Sequence, residues 1–201
     1  MELFDPELNF KDADLNQVEL GDRRDFMKGS LAALVGGLVP LWTAKNAWAI
    51  TNFASWKVNF RFYHTGETFS GVYRVGDRYL PEAFEKINYA LRDYRTKEAF
   101  PMDPRVIDII AMLQRKAGAT ESYDILSGYR SPKTNNKLRS TSSGVARNSY
   151  HMYGQALDVR APSYGVRKLR QDARALRAGG VGYYPKSNFC HVDTGDVRSW
   201  S

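Results

Sequence analysis

The chain has a single cysteine, Cys190, in 201 residues, so no disulfide can close within it and its stability must come from a packed core. Long apolar runs are missing too: the uncharged stretch Gly29 to Ala44 is short and interrupted by glycines, which argues against a membrane span. There is no internal repeat, no low-complexity linker and no nucleic-acid-binding motif. The basic residues Arg167, Lys168, Arg170, Arg174 and Arg177 read as the solvated face of a helix. Histidine is scarce, with His64, His151 and His191 the only three.

What the first part of the chain does have is an ordered leader. Arg23-Arg24-Asp25-Phe26-Met27-Lys28 has the twin-arginine form, the modest apolar stretch follows it, and Ala47-Trp48-Ala49 offers an A-x-A cleavage site. Residues 1–49 are therefore expected to be a twin-arginine signal peptide read by the twin-arginine translocase. Residues 50–201 would be the exported domain, in the periplasm of a Gram-negative cell. An uncleaved leader serving as an anchor is the alternative. After cleavage no stable membrane span would remain, and the domain would carry 24 basic against 14 acidic residues, net +10. Such a surface attracts polyanions, which in a periplasm are the cell wall and membrane surfaces rather than nucleic acid. About 150 residues suffice for one domain with a real core. A monomer is expected.

Hydrophobic periodicity gives the elements. Trp56 to Phe62 alternates with period two, and Thr68 to Val75 follows a turn at Gly66, so a hairpin is predicted. Pro81 opens a helix to about Tyr94, with Phe84, Ile87, Leu91 and Tyr94 at helical spacing. Asp103-Pro104 is a cap with proline at the first helical position, and Val106, Ile107, Ile110 and Leu113 form a buried stripe until Gly118. A strand at Tyr123 to Ser127, a polar loop from Asn135 to Asn148, a helix near Val166 to Arg177 and strands at Val181 to Tyr184 and Phe189 to Asp193 complete the reading. The fold class is α+β, a small antiparallel sheet with flanking helices.

Two segments carry the chemistry. Ala156 to Arg160 and Phe189 to Asp193 read as short strands whose apolar positions are Leu157, Val159, Cys190 and Val192, which puts Asp158 and His191 on the opposite faces. If the strands are neighbours, both residues point to one side, and Gly154 permits a turn that returns His151 toward Asp158. Two imidazoles and a carboxylate make a three-ligand zinc cup, the form that catalytic zinc sites take when one position is left for water. Cys190 alternates away from this cup and reads as a small apolar core residue.

The pattern Ser149-x-His151-x-x-Gly154-x-Ala156-x-Asp158, with Ser127-Gly128-Tyr129-Arg130-Ser131 before it and His191-Val192-Asp193 at the end, resembles the zinc peptidases that include D-Ala-D-Ala carboxypeptidases and the metal-binding domain of hedgehog proteins. Phe62 to Glu67, Arg78 to Ala83, Leu91 to Arg95 and Gly180 to Pro185 narrow the resemblance to the YcbK-like branch, over a span from about Phe60 to Trp200. The resemblance implies a hedgehog/D-Ala-D-Ala-peptidase-like fold and a murein endopeptidase cutting peptidoglycan peptide stems, including diaminopimelate-diaminopimelate cross-links. A carboxypeptidase of wall peptides and a non-catalytic metal-stabilised wall-binding module are the alternatives. It also implies that Arg130 faces the cleft, where its fork suits capture of a substrate carboxylate. A salt bridge to Asp124 or another acid is the other reading. The general base departs from the relatives: carboxypeptidase-like members place Glu three residues before the last ligand, where this chain has Asn188, and members with His two residues before it are answered by Phe189. Asp193, on the same strand face as His191, is the candidate catalytic residue, with orientation of the imidazole as its alternative role. Ser127 and Ser149 read as local hydrogen-bonders, His64 as structural, and Tyr153, Tyr183 and Tyr184 as groove or packing residues.

Overall fold

The computed structural model describes residues 54–118, 122–142 and 144–201; the twin-arginine leader expected at 1–49 lies outside the described residues. Among the described residues the elements run β1 (Ser55–Phe62), β2 (Thr68–Val75), β3 (Arg78–Tyr79), α1 (Pro81–Ala90), α2 (Pro104–Ala117), β4 (Tyr123–Ser127), α3 (Pro132–Thr141), a 3-10 turn (Tyr150–Tyr153), β5 (Ala156–Arg160), α4 (Val166–Leu176), β6 (Gly180–Tyr184), β7 (Phe189–Asp193) and β8 (Arg198–Trp200). The strands form one sheet in the order β3-β2-β1-β4-β5-β7-β6-β8. Pairing is antiparallel except between β1 and β4 and between β6 and β8. No helix among the described residues is long and apolar enough to cross a membrane.

Strand alternation divides the sheet into two faces. Val58, Phe60, Phe62, Tyr123, Ile125, Leu157, Val159, Cys190, Val192 and Val181 share one face in register and are buried. The apolar stripe of α2, with Val106, Ile107, Ile110 and Leu113, and Leu169 and Ala173 of α4 join the same core. Each large side chain so buried contributes about 1.5–3 kcal/mol, and these contributions hold the sheet without a cross-link. Cys190 is a buried member of this core.

The α2 cap also ties the core to the far face. The Asp103 carboxylate accepts from Arg105 N–H at 2.9 Å, and Pro104 occupies the first turn. Asp103 further accepts the Thr194 hydroxyl at 2.8 Å and donates its own N–H to Gly154 O at 2.9 Å. One helix start thus pins both the 3-10 turn and the end of β7.

Three features differ from the periodicity. The first helix stops at Ala90 rather than near Tyr94, because Leu91 leaves the helical region and the segment after it turns around the buried Asp93. Part of the polar loop expected from Asn135 to Asn148 is helix α3, capped by the Ser131 hydroxyl on Thr134 N–H at 3.2 Å with Pro132 in the first turn. That helix has no apolar stripe; it buries Thr134 and Asn135 instead, so hydrophobic spacing does not reveal it. The sheet is also larger than a small antiparallel one, through the two short edge strands β3 and β8 and the two parallel junctions.

Candidate metal centre

On the face away from the core, one cross-strand row carries the site. Ser127 of β4 pairs with Asp158 of β5, Asp158 with His191 of β7, His191 with Gly182 of β6, and Gly182 with Trp200 of β8. A register shift between Ile125 and Ser127 brings Ser127 into this row, a bulge of the kind that re-aims side chains beside sites. His151 enters from the 3-10 turn, which Gly154 ends in the left-handed region at φ 65°. A Cβ on Gly154 would strike the Pro101 carbonyl, so the turn needs glycine for space as well as for conformation.

The three expected ligands meet. His151 Nε2 lies 3.2 Å from His191 Nδ1 and 3.3 Å from Asp158 Oδ1, and His191 Nδ1 lies 3.0 Å from Asp158 Oδ1. Tautomers follow from the outer partners, since carbonyl and carboxylate oxygens only accept. His151 donates Nδ1–H to Gly128 O at 2.8 Å, and His191 donates Nε2–H to Asp193 Oδ2 at 3.0 Å. What remains is two imidazole nitrogens and a carboxylate oxygen aimed at one point, a donor set suited to a metal ion. Atoms about 2.0–2.1 Å from a tetrahedral zinc stand roughly 3.3 Å apart. The three observed separations fit one face of such a tetrahedron.

Without a metal the two imidazoles differ in charge. Burial pushes the His151 imidazole below its ordinary 6.5 and keeps it a neutral donor. Burial also disfavours charge on Asp158, but the adjoining imidazoles outweigh it and hold that carboxyl well below its ordinary 3.8. For His191, burial is overcome by Asp158 and Asp193, which raise it to about 9, so in the metal-free protein Nδ1 carries a proton toward Asp158 that a bound metal would displace.

Arg130 sits beside the cup, its side chain 13% exposed and its Nη2 3.8 Å from Asp158 Oδ2. Its remaining contacts are long, 3.3 Å to Ser127 Oγ and 3.4 Å to Asn135 Oδ1, so the fork keeps capacity for another acceptor. Asp124 pairs with Arg61 at 2.8 Å. Asn135 was not legible as a site residue: it supports Arg130 and donates to the carbonyls of Ala146 and Arg147, holding the segment that leads to His151. Asp193 is completely buried, its Oδ1 accepting from Gly180 N–H, Gly195 N–H and Arg198, its Oδ2 from His191 and Arg198. His64 is apart from the three, stacked on Tyr94 with ring centroids 4.3 Å apart. Tyr153 is 52% exposed on the ligand-bearing turn, and the Tyr184 hydroxyl accepts from the Trp200 indole.

A protein-family model described as Peptidoglycan L,D-endopeptidase MepK matches residues 52–200. The chain belongs to the MepK family. It is similar to Peptidoglycan L,D-endopeptidase MepK of Escherichia coli K12, with 44% identity over 137 residues that cover 68% of this chain and 75% of the relative. The "Probable peptidoglycan L,D-endopeptidase MepK" of Haemophilus influenzae is 42% identical over 144 residues, 71% of this chain and 77% of the relative. More distant is the Zinc D-Ala-D-Ala carboxypeptidase of Streptomyces albus G, 28% identical over 67% of this chain and 54% of the relative. As a MepK-family member the chain is an enzyme, a peptidase.

Proposed function

We propose that the protein is a zinc-dependent peptidoglycan endopeptidase that hydrolyses peptide cross-links of the bacterial cell wall, with residues 50–201 as its peptidase domain on a hedgehog/D-Ala-D-Ala-peptidase-like architecture. The observation that carries the reading is the convergence of His151 Nε2, Asp158 Oδ1 and His191 Nδ1 within 3.0–3.3 Å of one another. The relatives named L,D-endopeptidase support a bond between an L and a D centre, the class that includes links between two diaminopimelate residues. The carboxypeptidase named among them supports zinc as the metal.

His151, Asp158 and His191 are the proposed ligands. When bound, zinc supplies a Lewis acid that polarises a carbonyl and lowers the pKa of water from 15.7 toward about 7. Arg130 binds a carboxylate of the wall peptide, supported by a guanidinium that is nearly buried yet loosely partnered. Burial disfavours its charge, and Asp158 beside it works in the opposite direction. For Asp193 the geometry favours orientation of His191 over proton abstraction, since each of its oxygens is already taken by donors inside the protein. Wall substrates place the enzyme outside the cytoplasm, and we assign the twin-arginine leader as its route to the periplasm.

Metal analysis of the purified domain tests the reading. About one zinc per chain is expected, and His191→Ala should lose both metal and activity. A full complement of activity after chelation would refute it.

A further inference from the structure

Strand β6 carries glycine at two alternate positions, Gly180 and Gly182, on the face that bears the site. The final strand runs parallel beside it, with Arg198 in register with Gly180 and Trp200 with Gly182. A Cβ on Gly180 would strike both the Arg198 guanidinium and the Asp193 carboxylate. One on Gly182 would lie 2.7 Å from Cε2 and Cζ2 of the Trp200 indole. Both glycines therefore clear β6 so that two large side chains from the edge strand can lie across it and reach β7.

What they reach is the partner of a proposed ligand and the ligand itself. Arg198 forks onto Asp193, Nη1 to Oδ1 at 3.0 Å and Nη2 to Oδ2 at 2.7 Å, and the same Oδ2 accepts His191 Nε2–H at 3.0 Å. The Trp200 ring stands 5.3 Å from the His191 ring, centroid to centroid. Its indole N–H is fixed by the Tyr184 hydroxyl at 3.0 Å, and the Arg198 guanidinium lies 5.1 Å from the Trp200 and Tyr150 ring centroids. A bidentate fork allows the Asp193 carboxylate one orientation, and that orientation fixes which His191 nitrogen carries the proton.

We propose that β8 is a clamp on His191, with Arg198 and Trp200 as positioning residues for the metal centre. Arg198 acts through Asp193 to keep the proton on Nε2 and the Nδ1 lone pair facing His151 and Asp158. Trp200 walls the imidazole on its open flank and stops the ring from turning. The clamp rests on the reading of His151, Asp158 and His191 as zinc ligands, and it goes beyond it by assigning the last strand of the chain to ligand geometry.

The test measures metal binding rather than turnover. Zinc affinity is read by competition with a chromophoric chelator, and site geometry by the visible spectrum of the cobalt(II) form, in wild type, Arg198→Ala, Arg198→Lys, Trp200→Ala and Gly182→Ala. Loss of such an outer partner weakens metal binding by about 10–100-fold. Arg198→Ala should show that loss, Arg198→Lys should recover part of it, and the cobalt spectra of Trp200→Ala and Gly182→Ala should shift. Circular dichroism of the metal-free variants checks folding; if Arg198→Ala does not fold, Arg198→Lys and Gly182→Ala decide in its place. Folded variants with wild-type zinc affinity and wild-type cobalt spectra overturn the clamp alone. A wild-type protein that binds neither metal overturns the ligand assignment beneath it.

Discussion

Replacing Gly154 by alanine should damage both the fold and the metal centre. Gly154 sits at φ 65°, and its new Cβ would meet the Pro101 carbonyl and lie 3.1 Å from Met102 Cα. The left-handed conformation costs a residue with a Cβ about 1–2 kcal/mol. Relieving the clash means moving backbone, and overpacking of this kind adds about 1–3 kcal/mol. The sum, about 2–5 kcal/mol, corresponds to a fall in Tm of roughly 5–15 °C for a domain of this size. Gly118→Ala is the control: Gly118 also has positive φ, 61°, but a Cβ there meets no described atom within 4 Å, so only the conformational cost applies. Its Tm should drop by roughly 2–6 °C. The displacement at Gly154 also bears on function, because its carbonyl accepts the Asp103 N–H at 2.9 Å and its turn carries His151. Thermal melts of the metal-free proteins and zinc competition titrations on both variants are the assays. A Gly154→Ala protein that melts with Gly118→Ala and binds zinc as wild type would refute the reasoning.

Three further outcomes are expected. Arg130→Ala should lower kcat as well as raise KM on cross-linked muropeptides, since a carboxylate anchor aligns the scissile bond, and Arg130→Lys, with charge but no fork, should restore only part of the loss; an unchanged kcat in both would remove Arg130 from alignment. Asp93 is buried and accepts from Ser131 N–H and Oγ–H at 3.0 and 2.7 Å; burial opposes its charge, but hydrogen bonds from Thr134, Ser131 and the Arg95 N–H hold its carboxyl below the ordinary 3.8. Its stabilising contribution is therefore present above that value and lost as pH falls through the lower folded value, so Asp93→Asn should show a flatter loss of Tm from pH 5 down to pH 2 than wild type; parallel acid limbs would contradict this. Replacing Arg23-Arg24 by Lys-Lys should leave the protein in the cytoplasm of the producing cell by fractionation, and undiminished export would point to a different route.

Much of the site was legible because its residues lie on strands, where period-two alternation fixes direction. Leu157, Val159, Cys190 and Val192 marked the core face, which left Asp158 and His191 for the other, and the register pairs those two directly. Less legible were the parts held by hydrogen bonds rather than apolar burial. Helix α3 buries Thr134 and Asn135 by polar contacts, so its only sequence signal was the Ser131-Pro132 start. The two edge strands span two and three residues, too short for any periodicity, and the parallel pairing of β8 depends on its tertiary placement. Asp193 was placed on the right face beside His191, but its saturation by Arg198, Gly180 and Gly195 follows from β8 and the turn after β7, which one-dimensional spacing does not encode.

The central claim is that His151, Asp158 and His191 hold a zinc used to cut wall cross-links, and digestion of purified sacculi with products identified by mass spectrometry tests it most directly. Zinc-loaded wild-type protein should convert cross-linked dimeric muropeptides to monomers, with links between two diaminopimelate residues preferred, and chelated wild type and His191→Ala should leave the dimers intact. Dimers cleaved equally well without metal would contradict the account, and release of free D-Ala alone from uncross-linked stems would replace the endopeptidase with a carboxypeptidase.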